Sequence, residues 1–145
     1  MVKIMNENSG EFSYYLSGEP KSYITHRDRT CREWSPNKSA HQLARVTLES
    51  QHDGRSLFKG PIDMSITFYF KFPCHTLRRQ RVGPFHETSP SLLYLYRFIE
   101  EVSRGILFER FNYVINLTLF KIYDDIPRTE IVIKERKRWA QKLPI

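Results

Sequence analysis

Three kinds of side chain in this sequence could do chemistry: a pair of cysteines, a scatter of histidines, and arginines gathered in runs. Cys31 and Cys74 lie 43 positions apart with no Cys-x-x-Cys spacing, so they read as packed or idle thiols and not as a zinc site or a disulfide framework. His26, His75 and His86 lack the spacing of metal ligands and read as loop residues. The arginines are more suggestive. Arg27 and Arg29 stand in one polar stretch, Arg78, Arg79 and Arg81 in a second, and Arg97 follows. Clustered guanidinium groups suit phosphate oxygens, and each such contact releases counterions from a nucleic acid. Glu100 and Glu101 read as helix charges that pair with Arg97 or Arg104 at spacings of three and four residues.

The whole chain leans the same way. Its 145 residues hold 23 Lys and Arg against 16 Asp and Glu, a net charge of +7. That balance favours a polyanionic partner such as nucleic acid over an acidic protein. A hydrophobic share of 40% and an aromatic share of 14% exclude a disordered polypeptide. The mean hydropathy of −0.52 argues against a membrane protein. The longest apolar cluster, 92–99, is broken by Arg97 and falls well short of the ~20 residues that span a bilayer. Met1-Val2-Lys3 leads into polar residues with no apolar segment behind it, so no secretory signal is expected and the protein is placed in the cytoplasm. The length fits one domain over 1–145, with its core at about 11–134 and a basic tail at 135–145.

The elements that must position these groups follow from periodicity. Residues 11–18 alternate aromatic and polar as a first strand, stopped by Gly18 and Pro20. A basic loop runs from Lys21 to about Pro36. Ser39 can cap a helix to about Ser50, with Ala40, Leu43, Val46 and Thr47 on its apolar face and His41, Arg45 and Glu49 turned away. Residues 62–72 form a strongly alternating strand, and 73–88 an exposed basic loop. A second helix begins at Ser89 or Ser91 and ends near Gly105. Its wheel places Leu92, Leu95, Tyr96, Phe98, Ile99 and Val102 together, yet leaves Leu93 and Tyr94 on the polar arc beside Arg97. Strands at 113–123 and 128–134, joined by Asp124-Asp125-Ile126-Pro127, predict an antiparallel hairpin. The sum is a small α+β domain: a mixed sheet of about four strands carrying two helices.

Over about 12–133 the chain resembles the RusA-type Holliday junction resolvases, small dimeric metal-dependent nucleases that cut four-way DNA junctions. The resemblance rests on the Gly18-to-Arg29 loop, Ser35-Pro36 ahead of the first helix, and Leu57-Phe58-Lys59-Gly60-Pro61 leading into Ile66-Thr67-Phe68-Tyr69-Phe70. It is most specific in Gly105-Ile106-Leu107-Phe108, Lys121-Ile122-Tyr123 and Pro127-Arg128-Thr129-Glu130-Ile131. The family carries a Pro-Asp-x-Asp-Asn signature at the start of the second helix, a basic residue on the next turn, and an Asp-Asp pair after Gly-Ile-Leu-Phe. Here Pro90 is kept, the two aspartates become Ser91 and Leu93, and the asparagine becomes Tyr94. The basic residue is Arg97, and the acidic pair falls on Arg110 and Phe111.

Those departures bear on catalysis. Mg²⁺ takes oxygen ligands and must sit beside the scissile phosphate to activate water. Ser91 offers one neutral oxygen, and Leu93 and Phe111 offer none. Arg110 adds repulsion of about 4 kcal/mol per unit-charge pair at ~4 Å and an effective dielectric of ~20. No cofactor is therefore expected. The resemblance implies a homodimeric homologue in DNA recombination or repair that has lost nuclease activity and keeps branched or duplex DNA as its partner. Arg27, Arg29, Arg78, Arg79, Arg81 and Arg97 are its candidate phosphate contacts. Two alternatives stand beside it. One is an active Mg²⁺-dependent junction endonuclease with relocated carboxylates such as Glu87 or Glu109. The other is conversion of the catalytic face to a protein-binding surface anchored by Leu93, Tyr94 and Phe111.

Overall fold

Strict alternation of apolar and polar residues builds the centre of the molecule. The computed structural model describes residues 10–23, 26–27, 33–34, 38–72, 85–88 and 90–136. In it Ile62–Lys71 is strand β4, whose residues Ile62, Met64, Ile66, Phe68 and Phe70 are buried while the intervening side chains face the opposite side. Around it lie β1 (Glu11–Ser17), β5 (Val114–Asp124) and β6 (Arg128–Glu135), in the spatial order β1-β6-β4-β5. Both neighbours of β6 run antiparallel to it, and β5 runs parallel to β4. Helices α1 (Lys38–His52) and α2 (Leu92–Ser103) cover one face, which makes this a small α+β fold. No described helix is long and apolar enough to cross a membrane.

Three expectations need correction. The stretch after β1 is not simply a loop, because β2 (His26–Arg27) and β3 (Glu33–Trp34) pair there as a short antiparallel ladder. Nor are β5 and β6 a hairpin, since β4 lies between them. Two strand spacings are about 9.6 Å, and four Cα–Cα steps from Asp124 to Arg128 reach up to ~14 Å, so the short link has room to cross the end of β4. Arg128 staples that crossing. Its guanidinium lies 3.6 Å from the Tyr69 ring centroid on β4 and donates to Asp124, to the Ile126 carbonyl at 2.8 Å and to Glu130 at 2.6 Å. The Asp124 carboxyl is held below its usual range by the Arg128 hydrogen bond.

The third correction concerns which face of α1 is inward. Its buried residues are Ala44, Leu48 and His52, while Leu43 and Val46 are 68% and 63% exposed. Leu43 lines the mouth of a cavity of about 260 Å³ between the end of β1 and the two helices. Arg45, expected to point away, turns toward the end of α2, where Nη1 donates to the carbonyls of Glu101, Val102 and Arg104 at 3.3, 3.5 and 2.8 Å. Those are the carbonyls a helix leaves without partners, and a cation there complements the helix dipole. The chain then reverses through Gly105, at φ +79°, a left-handed value that suits glycine.

α2 follows its sequence pattern closely. Leu95, Phe98, Ile99 and Val102 are buried, Leu92 and Tyr96 pack at the margin, and Leu93 and Tyr94 stay outside. The ion pair between Glu101 and Arg104, at 3.4 Å, has the expected three-residue spacing.

Candidate functional site

The start of α2 is assembled from three parts of the chain. Ser91 caps the helix in extended conformation, φ −75° and ψ 159°, with no side-chain hydrogen bond to the first turn. Lys121 of β5, on the helix-covered side of the sheet, donates through Nζ to the carbonyls of Thr88 and Pro90 at 2.6 and 2.5 Å. It thereby pins the segment ahead of the helix, and partial burial lowers its pKa. The chain after β1 arrives from the other side, where the Tyr23 N–H donates to the Tyr94 carbonyl at 2.9 Å. The Arg97 guanidinium lies 5.2 Å from the Tyr23 ring centroid, a cation–π contact.

On this scaffold the first turn presents a mixed surface. Leu93 and Tyr94 are 62% and 46% exposed, and Ser91 and Arg97 are exposed beside them. Arg110 and Phe111 lie elsewhere. They stand at the corner after α2, where Phe111 begins a 3₁₀ turn (Phe111–Tyr113) and packs on Phe108 with ring centroids 5.3 Å apart. Phe108 in turn bridges to Arg104 at the helix end. The thirteen steps from Ser91 to Arg104 rise about 20 Å at ~1.5 Å each, so α2 keeps the positions 91 and 93 at one end and 110 and 111 at the other. Phe111 is a half-buried margin of the core, whereas Arg110 is exposed.

The carboxylates considered as substitutes divide in the same way. Glu87 is exposed ahead of α2, and Glu109 is exposed at the far corner. Among the described residues no three His, Cys, Asp or Glu converge as a metal-binding group. The residues at the start of α2 therefore do not fit a divalent cation: a hydroxyl, an isobutyl group, a phenol and a guanidinium supply no oxygen cage. Of the candidate phosphate contacts, Arg97 is on α2 and Arg27 lies in β2. Arg29, Arg78, Arg79 and Arg81 lie outside the described residues, as do Cys31, Cys74 and His75.

Sequence reading missed the two cations that hold the ends of α2, Lys121 ahead of its start and Arg45 at its C-terminal carbonyls. Lys121 stands alone among Leu117, Leu119 and Tyr123 on the helix-covered side of β5, and a single ammonium in an apolar stripe is the signal that it reaches for fixed carbonyls. Arg45 was legible only through its proximity to Leu48 and Ala44 on α1. His86 also proves more than a loop residue. Its ring stacks on Phe70 at 3.9 Å, and burial together with the Lys121 ammonium lowers its pKa. No family model matches the chain, and no curated protein matches it significantly.

Proposed function

We propose that this protein is a RusA-like Holliday junction resolvase homologue that has lost nuclease activity and binds branched or duplex DNA as a homodimer. The observation that carries the reading is the first turn of α2, where Ser91, Leu93 and Tyr94 occupy the positions that the resembled family gives to its metal-site residues. Loss of those aspartates removes negative charge from a face that must approach phosphates. The net charge of +7 and the exposed Arg97 support an anionic partner. The test is a gel shift of a four-way junction against linear duplex, with and without Mg²⁺. Preference for the junction, unchanged by Mg²⁺ and without strand cutting, is the expected result. Equal affinity for both substrates refutes junction selectivity, and cleavage by rigorously purified protein refutes the loss of activity.

The exposure of Leu93 and Tyr94 favours a second reading, in which the same turn holds a protein partner. Replacing both by alanine separates the two: DNA affinity is retained in either case, and only the second reading predicts loss of a protein captured by the wild type.

A further inference from the structure

β1 ends at Ser17, and the chain leaves the sheet through Gly18, whose φ of +90° lies in the left-handed region open to glycine. The Gly18 N–H donates to the Pro127 carbonyl at 3.2 Å, and Pro20 is buried two residues on. The turn so pinned carries Glu19 and Lys21, both exposed, to the cavity of about 260 Å³ that Leu43 also borders. Glu19 Oε1 accepts from the Lys71 N–H at 3.5 Å, which holds its carboxylate beside the end of β4.

The wall of that cavity is apolar and comes from separate elements: Leu16 of β1, Ala44 of α1, and Phe98 and Ile99 of α2, all buried. One polar side chain is buried among them. Thr129 of β6 is 3% exposed, and its hydroxyl can both donate and accept. The volume exceeds the ~150 Å³ in which an apolar cavity takes up benzene, and falls short of the ~300–1,000 Å³ typical of ligand pockets. It suits one ring with a short polar arm. Glu19 and Lys21 set one negative and one positive charge beside this wall, which complements a ligand carrying both an ammonium and a carboxylate. A ligand with only one of those charges meets a like charge there as well as an opposite one.

We propose that the cavity binds a free aromatic α-amino acid, tyrosine above phenylalanine. The ring lies against Leu16, Phe98 and Ile99, the ammonium meets Glu19, the carboxylate meets Lys21, and the phenol hydroxyl bonds to Thr129. Leu43 supplies an apolar lip. Phe98 and Ile99 belong to the inward face of α2, whereas the DNA-binding reading rests on the outward first turn of that helix, so either can fail while the other stands.

Titration of the full chain with L-tyrosine, followed by backbone amide NMR shifts and by calorimetry, tests the proposal. A ligand of this size is expected to bind with a Kd of about 1 mM, moving the amides of Gly18 and Ala44. Phenylalanine should bind about fivefold more weakly, and Thr129→Val should erase that difference. Tyramine, which lacks the carboxylate, and desaminotyrosine, which lacks the ammonium, should each lose about threefold. Lys21→Glu, at an exposed position, should weaken tyrosine by a similar factor and strengthen tyramine, so the gain for tyramine guards against a folding defect. No shift at Gly18 or Ala44 with any of these ligands, or equal affinity for tyrosine, tyramine and desaminotyrosine, overturns the proposal. Equal affinity of the wild type for tyrosine and phenylalanine overturns the part given to Thr129.

Discussion

The two edges of the main sheet are finished in opposite ways. At β1 the Gln51 side chain behaves as a short piece of strand: its Oε1 accepts from the Tyr15 N–H at 2.8 Å and its Nε2 donates to the Tyr15 carbonyl at 2.7 Å. Beneath that edge Tyr14 and Leu16 are buried, and the Tyr14 hydroxyl meets His52 Nδ1 at 2.7 Å. His52 Nε2 lies 3.0 Å from the Ser56 carbonyl, so that nitrogen donates, Nδ1 accepts, and the hydroxyl is the donor of the pair. Among the described residues no side chain closes the outer edge of β5 in this way over Val114 to Phe120. One edge is closed by the protein's own side chains, and on the other Ile115, Leu117 and Phe120 stay exposed.

Truncation separates the two edges most sharply. Tyr14→Ala should cost about 3–5 kcal/mol, because it removes a buried ring and leaves His52 Nδ1 without a donor. Leu117→Ala, measured at high dilution, should cost less than ~1 kcal/mol. Urea unfolding followed by circular dichroism compares them, and equal losses would mean that β5 is anchored as firmly as β1. Next in size is Gln51→Leu, which removes two exposed hydrogen bonds and should cost about 1 kcal/mol. It should also open the β1 edge, seen as new association by light scattering that Ser13→Lys suppresses.

The smallest expected effect is a pH dependence. His86 docks against the outer edge of β5, stacked on Phe70, with the Tyr123 ring at 5.1 Å and the Lys121 ammonium as the charged neighbour. Its folded pKa lies below the ordinary value of 6.5, and so does that of His41 on α1, lowered by burial and by Arg45. Above pH 6.5 neither the folded nor the unfolded chain holds these protons. Below it the unfolded chain takes up protons that the folded chain resists, so stability falls as pH drops through this range. Thermal melts on either side of pH 6.5 should show a lower midpoint on the acid side. His86→Phe keeps the stacking and should reduce the difference.

What was legible in the sequence and what was not differ by the range of the interactions involved. β4 could be read from its own alternation, and α2 from its periodicity, Ser91 at its start and Gly105 past its end, because these signals act within one or two turns. The exposed pair Leu93 and Tyr94 was legible for the same reason, being set by the helix wheel. The hairpin expectation failed because a three-residue link looks alike whether it joins neighbouring strands or crosses the end of a third. Arg128 over Tyr69 is the contact that reveals the crossing, and those residues are far apart in the chain. The face of α1 was misread because the carbonyls that Arg45 satisfies belong to another helix.

By itself, then, the chain's order of residues determined the kinds of element present, the α+β class, the basic balance and the lack of carboxylates at the start of α2. Only the tertiary structure decided that β4 separates β5 from β6, that Lys121 and Tyr23 frame the first turn of α2, and that positions 91 and 111 lie at opposite ends of that helix. Local patterning is governed by the geometry of a single helix or strand. Neighbourhood between elements is governed by which buried faces and unpaired backbone groups find one another across the whole chain, and no window along the sequence contains both partners.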